Sequence, residues 1–150
     1  QARMFKQAPA LVMETLGKQE VTMNYHRWGI SPKTFYTNSR IFNFFNVLSV
    51  NEDNQGKTFI STVEAKNPQL PIYATQWHPE VPPFEFYKNK ASHTAESIMS
   101  NNYMATFFVN EARKNNQKYS SEDAERAALI YNYNPVATEQ VNGNEQTYYW

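Results

Sequence analysis

Cysteine is missing from all 150 residues of the sequence. That excludes a disulfide within the chain, a thiolate metal site, and a thiol nucleophile of its own. Charge is also scarce: only 19% of residues are ionic, with 14 basic against 14 acidic side chains and no net charge. A nucleic-acid binder usually carries a basic stripe. The nearest basic cluster here is Arg113, Lys114 and Lys118, at the end of a predicted helix, where positive charge suits the dipole. No nucleic-acid partner is therefore expected. No stretch approaches the roughly 20 consecutive apolar residues of a membrane span. There is no Asn-x-Ser/Thr sequon to support glycosylation and no signal peptide. The chain opens on Gln1 rather than Met and reads as processed or truncated. The three histidines, His26, His78 and His93, lie far apart without cysteine partners. No metal and no cofactor are expected from that spacing.

What is present is aromatic. Phe (10), Tyr (10) and Trp (3) make up 15% of the chain, and 41% of residues are hydrophobic. A few buried rings remove enough surface from water to anchor a core. Pro9 before Ala10-Leu11-Val12-Met13 predicts a short helix, with Gly17 as its stop. Val21–Tyr25 reads as a short strand. Ser31-Pro32 opens a turn, and Asn38 caps a helical segment through Phe44. Phe45–Val50 and Thr58–Glu64 alternate around the polar run Asn51–Gly56, which predicts a β-hairpin. Phe45, Val47 and Ser49 fall on one of its faces. Leu70–Trp77 is a third extended run. The period then changes, and Ile98, Met99, Ala105, Phe108, Val109 and Ala112 predict a helix over about 94–115. Ser120 with Asp123 marks a further helix, to about Tyr131. No internal repeat or domain-scale linker interrupts the pattern.

Chemistry concentrates in Gln76-Trp77-His78-Pro79-Glu80. In an extended chain, positions i and i+2 share a side, so His78 and Glu80 face the same way. Pro79 biases His78 toward extended geometry and, lacking an N–H, ends the strand. An imidazole and a carboxylate displayed at a strand tip form the base and orienter of a nucleophilic triad. Two readings of the residues stand: half a catalytic site, or a satisfied loop histidine beside a solvated carboxylate.

The pentapeptide resembles the His/Glu motif of class I glutamine amidotransferases, whose triad is Cys-His-Glu. Its surroundings resemble one family in that superfamily, the γ-glutamyl hydrolases, along nearly the whole chain. The matching stretches are Thr22–Trp28, Phe44–Leu48, Phe59–Glu64 and Pro83–Phe86, then Phe107-Phe108-Val109-Asn110-Glu111-Ala112-Arg113-Lys114-Asn115-Asn116 and Ala128–Tyr131. Phe84-Glu85-Phe86 departs from the family's usual Tyr-Glu-Trp, and Val81-Pro82 replaces a Lys-containing pair.

The resemblance implies an α/β fold, a three-layer α/β/α sandwich around a mainly parallel sheet. Residues 1–150 would form the C-terminal part of that single domain, with the hairpin and two C-terminal helices. It implies hydrolysis of γ-glutamyl bonds in folylpoly-γ-glutamates through a cysteine thioester, with His78 and Glu80 as the catalytic residues supplied here. His26 matches a family histidine near the active site and would position substrate; its alternative is an imidazole packed on Tyr25 and Trp28. His93 is read as a loop or capping residue. The implied partners are an N-terminal half carrying the Cys, the folylpolyglutamate substrate, and a second copy in a homodimer. The implied location is the lysosome or vacuole, or outside the cell. Two other functions stand beside this one: a non-catalytic structural or interaction module, and a glutaminase that supplies ammonia to a synthase.

Overall fold

The computed structural model describes residues 2–86, 90–138 and 146–150. Helix α1 spans Ala10–Lys18 and follows Pro9, which occupies its N-cap. Gly17 lies inside α1 instead of ending it. Two one-and-a-half-turn helices follow, α2 (Pro32–Thr37) and α3 (Ser39–Phe44). Ser31 caps α2 through its side chain, with Pro32 at the first helical position, so the anticipated turn is a helix start. Asn38 caps α3, accepting from the backbone N–H groups of Arg40 and Ile41.

Strands β1 (Phe45–Glu52) and β2 (Thr58–Ala65) form the expected hairpin. Its turn is organised by Asp53, whose Oδ1 accepts from the N–H groups of Gln55 (2.8 Å) and Lys57 (2.9 Å). Those N–H groups, Lys57 first, hold the Asp53 carboxyl below its ordinary value. Gly56 closes the turn at φ 72°, a conformation that only glycine adopts without strain. The ladder is not regular. Val47 pairs with Val63, Ser49 with Thr62 and Val50 with Ile60. An extra residue on β1 is thus cancelled by one on β2, and strict alternation from Phe45 does not describe the faces.

β3 (Tyr73–Thr75) lies on the other side of β2, antiparallel to it, in the order β1-β2-β3. The extended run is shorter than Leu70–Trp77 because Leu70 N–H bonds back to Asn67 O, turning the chain. The Val21–Tyr25 strand reduces to one bridge, Met23 to His78. Beyond that bridge Pro79 offers no N–H to continue a ladder. A second, two-stranded antiparallel sheet joins β4 (Val136–Ala137) and β5 (Gln146–Thr147).

The architecture is therefore mixed helix and strand, and every strand pairing among the described residues is antiparallel. The mainly parallel sheet is not displayed by them. The link from β2 to β3 is too short to carry the crossover of a dozen or more residues that a parallel pair needs.

After a one-turn helix α4 (Val81–Phe84) comes α5 (Ala95–Ala112), the longest helix, which packs against α1 and α4. Thr94 caps α5 by accepting from Ser97 N–H at 3.2 Å. The last helix, α6 (Glu122–Ala127), starts from Ser121, not Ser120, and stops four residues short of Tyr131. Asn132 ends it, donating its amide to the carbonyls of Arg126 (2.8 Å) and Ala127 (3.0 Å).

The core is small. Met4, Trp77 and Met104 are buried together, ringed by Phe5, Leu16, Leu48, Tyr73, Tyr103 and Phe107. Glu64, 4% exposed, pins the N-terminal segment by accepting from the N–H groups of Arg3 and Met4, both at 3.1 Å.

Candidate active site at the end of the third strand

Trp77 sets the site's depth. Its ring is 4% exposed, and its Nε1–H donates to Thr62 Oγ1 at 3.0 Å. Thr62 Oγ1 also accepts from Ser49 Oγ at 2.8 Å. The compensated bulge brings Ser49 opposite Thr62, so the three side chains tie β1 and β2 to the segment that follows β3. Gln76 N–H bonds Ser61 O at 2.7 Å, and His78 N–H bonds Met23 O at 2.8 Å. The backbone is thus held on both sides of Trp77, and His78 emerges at a defined point.

His78 Nδ1 lies 2.8 Å from Glu80 Oε1. An ionised carboxylate only accepts, so Nδ1 carries the proton in this pair. That tautomer leaves Nε2 with its lone pair, and Nε2 makes no hydrogen bond among the described residues. The side chains are 36% and 64% exposed, so a reacting group can approach from solvent. The i, i+2 spacing in Trp77-His78-Pro79-Glu80 therefore does bring imidazole and carboxylate together.

His26 arrives from the opposite segment. Its ring stacks on His78 with centroids 4.6 Å apart and planes 19° apart. Its sequence neighbours Tyr25 and Trp28 are 83% and 88% exposed, and the ring stack is with His78 instead. The Met23–His78 bridge explains the contact, because it fixes the 23–26 segment alongside the motif.

His93 does not join the pair. It sits just before the α5 cap, with Nδ1 2.8 Å from Pro82 O and its ring stacked on Phe86 at 4.3 Å. No group of three or more His, Cys, Asp or Glu that could hold a metal occurs among the described residues.

Sequence reasoning passed over Thr62, Ser49 and Met23. Thr62 and Ser49 read as ordinary β-branched and polar strand positions. Their one visible signal is the tryptophan of the motif, whose N–H needs a partner once buried.

A groove of about 540 Å³ adjoins Glu80, lined mostly by apolar groups that include Tyr73, Phe84, Met104, Phe107 and Phe108. It runs along the outer edge of β3. Ala65 N–H bonds Ile72 O and Gln76 N–H bonds Ser61 O, so the even-numbered residues of this run face β2. Tyr73 and Thr75 consequently turn their backbone groups to the other edge, where no described strand lies. Burial pushes the Tyr73 phenol up, and its hydroxyl donates to Glu111 Oε2 at 3.2 Å.

No protein-family model matches the chain. Individual proteins do. Gamma-glutamyl hydrolase B of Dictyostelium discoideum is 43% identical over 149 residues, which is 99% of this chain and 42% of that protein. Gamma-glutamyl hydrolases of Rattus norvegicus and Homo sapiens are each 41% identical, over 99% and 98% of this chain and 46% of theirs. The chain thus spans less than half the length of these relatives and corresponds to their C-terminal portion. It is a homologue of the γ-glutamyl hydrolases.

Proposed function

We propose that this chain supplies the general base and its orienting carboxylate to a cysteine-type γ-glutamyl hydrolase whose nucleophile lies outside these 150 residues. The observation that carries the reading is the 2.8 Å His78–Glu80 pair with Nε2 turned away from the carboxylate, in a homologue of hydrolases so named. Hydrolysis of a γ-glutamyl amide needs a nucleophile, a base to activate it and an acid for the leaving amine. His78 serves both proton roles. Its Nε2 takes the thiol proton as sulfur attacks the γ-carbonyl carbon, then delivers it to the departing amine nitrogen. A water then attacks the thioester, giving its proton to His78, and the thiol is restored. Glu80 holds the Nδ1 proton throughout and stabilises the imidazolium. His26 keeps the ring plane of His78 by stacking and lies where it can position substrate.

The remaining half of the domain belongs to the same proposal. The chain exposes 11459 Å². A compact monomer of its 17.5 kDa would expose roughly 7,900 Å². Excess surface of this size, a β3 edge that no described strand pairs and an apolar groove beside Glu80 all favour a second polypeptide layer along β3. That layer would complete a three-layer α/β/α sandwich and bring the cysteine to His78. The substrate we favour is a folylpoly-γ-glutamate, the quaternary state a homodimer, and the location lysosomal, vacuolar or secreted, all by family.

The test is activity of the protein that unites this chain with the cysteine-bearing portion. His78→Ala should remove γ-glutamyl hydrolysis, and Glu80→Gln should lower kcat by about 10²-fold. Full turnover in His78→Ala would overturn the mechanism. The second reading, a non-catalytic interaction module, is favoured by the same exposed groove. It requires that no thiol reach His78 in the assembled protein.

A further inference from the structure

We infer that His93 is a positioning residue for the His78–Glu80 pair, acting through the turn that follows Glu80; the inference rests on the catalytic reading above. Glu80 occupies the N-cap of α4 with helical backbone angles (φ −75°, ψ −25°) but makes no side-chain cap. Its carboxylate is therefore aimed by where α4 sits, not by a bond to its own helix. α4 is a single turn, closed by Glu85 N–H to Val81 O at 2.9 Å. Pro82 and Pro83 remove two N–H donors from it. So short a helix does not hold its position by itself.

His93 supplies the hold. Its Nδ1 is 2.8 Å from the carbonyl of Pro82, a residue whose own ring is buried. A carbonyl only accepts, so Nδ1 carries the proton in this contact. The same imidazole stacks on Phe86, with centroids 4.3 Å apart and planes 17° apart. One ring thereby grips the middle of α4 and the residue two places beyond its end.

His93 is itself firmly placed. Thr94, next in sequence, caps α5. One and two turns further on, Ser97 and Asn101 are buried and both donate to Val21 O, at 3.4 and 3.0 Å. Val21 leads to Met23, whose carbonyl holds His78 N–H. The first turns of α5 therefore reach both members of the pair. They reach His78 through Val21 and Met23, and Glu80 through His93 and Pro82. His93 touches neither member, which separates it from the catalytic residues.

The experiment compares His93→Ala, His93→Asn and His93→Gln in the complete, cysteine-bearing protein, with His78→Ala as reference. An Asn amide nitrogen takes the place of Nδ1, whereas a Gln amide nitrogen reaches to the place of Nε2. His93→Ala should lower kcat by about tenfold with KM within about twofold, the signature of a displaced proton-transfer group. His93→Asn should recover most of kcat, and His93→Gln should not. If His93→Ala fails to fold, the Asn-to-Gln ratio decides alone, since both keep a polar amide. Equal kcat in Asn and Gln variants, or wild-type kcat in His93→Ala, overturns the positioning role while an inactive His78→Ala leaves the catalytic reading standing. An active His78→Ala overturns both.

Discussion

Thr62 is one hydroxyl with two donors aimed at it, Trp77 Nε1–H and Ser49 Oγ–H, and it is 1% exposed. Replacing it with valine keeps the volume and removes the acceptor. A buried donor left unmade costs about 1–3 kcal/mol, so Thr62→Val should lower unfolding free energy by about that amount in a denaturant titration. Thr62→Ser keeps the acceptor and should retain most of the stability. Wild-type stability in Thr62→Val, which keeps the methyl group and loses only the hydroxyl, would show that these two hydrogen bonds do not carry it. The same site separates what local sequence encodes from what it does not. His78 and Glu80 are legible because i, i+2 spacing and the constraint of Pro79 are properties of five consecutive residues. The His26–His78 stack is not, because it follows from the Met23–His78 bridge between segments far apart in the chain. Tyr25 and Trp28 were plausible partners for His26 by proximity in sequence, and both instead stand out in solvent.

The hairpin is the element that the sequence reports best, because alternation and a polar turn closed by glycine are both local. Asp53 organises that turn, and its carboxyl lies below the ordinary value of 3.8. A carboxylate whose folded value is depressed contributes stability above the unfolded value and loses it as pH falls through the folded one. Asp53→Ala should therefore lower the thermal midpoint at neutral pH, and the difference from wild type should shrink as pH falls through the lowered folded-state value. A difference that persists in acid would mean that the turn depends on Asp53 in its protonated form too. Helix α5 offers a parallel test: Thr94→Ala removes the acceptor for Ser97 N–H and should cost about 1 kcal/mol. Thr94→Asp should cost little. Elsewhere local signals misled. Ser120 and Asp123 look like a helix start, yet Ser121 is the residue whose hydroxyl accepts from Ala124 N–H. The helix ends early because Asn132 folds back onto its last carbonyls, a contact that no hydrophobic period records. The bulges in β1 and β2 escape detection for a related reason, since one offsets the other and the overall period survives.

At the scale of the molecule, the chain carries more surface than a compact monomer of its mass. A surface of 11459 Å², against the roughly 7,900 Å² of a compact monomer of this mass, is an excess of about 3,500 Å². A standard complex buries only about 800 Å² on each partner. The excess is partly apolar: Phe84 and Phe108, which line the groove, are 69% and 71% exposed, beside the edge of β3 that no described strand pairs. Apolar surface of that kind drives association in water. The chain expressed alone should bind a hydrophobic dye strongly and sediment as a concentration-dependent mixture. On the proposed reading, co-expression with a polypeptide corresponding to the remaining portion of the relatives should give a stoichiometric complex and quench most of the dye signal. Phe108→Asp should weaken that complex by at least about tenfold, because a carboxylate would have to be buried where a ring was. It should leave the hairpin and its Asp53 turn unchanged, since none of the residues lining the groove comes from β1, β2 or that turn. A complex that forms equally well with Phe108→Asp would place the contact elsewhere. On the proposed mechanism a nucleophile would then have to reach His78 from a different direction, and the apolar groove beside Glu80 would lose its part in assembling the site.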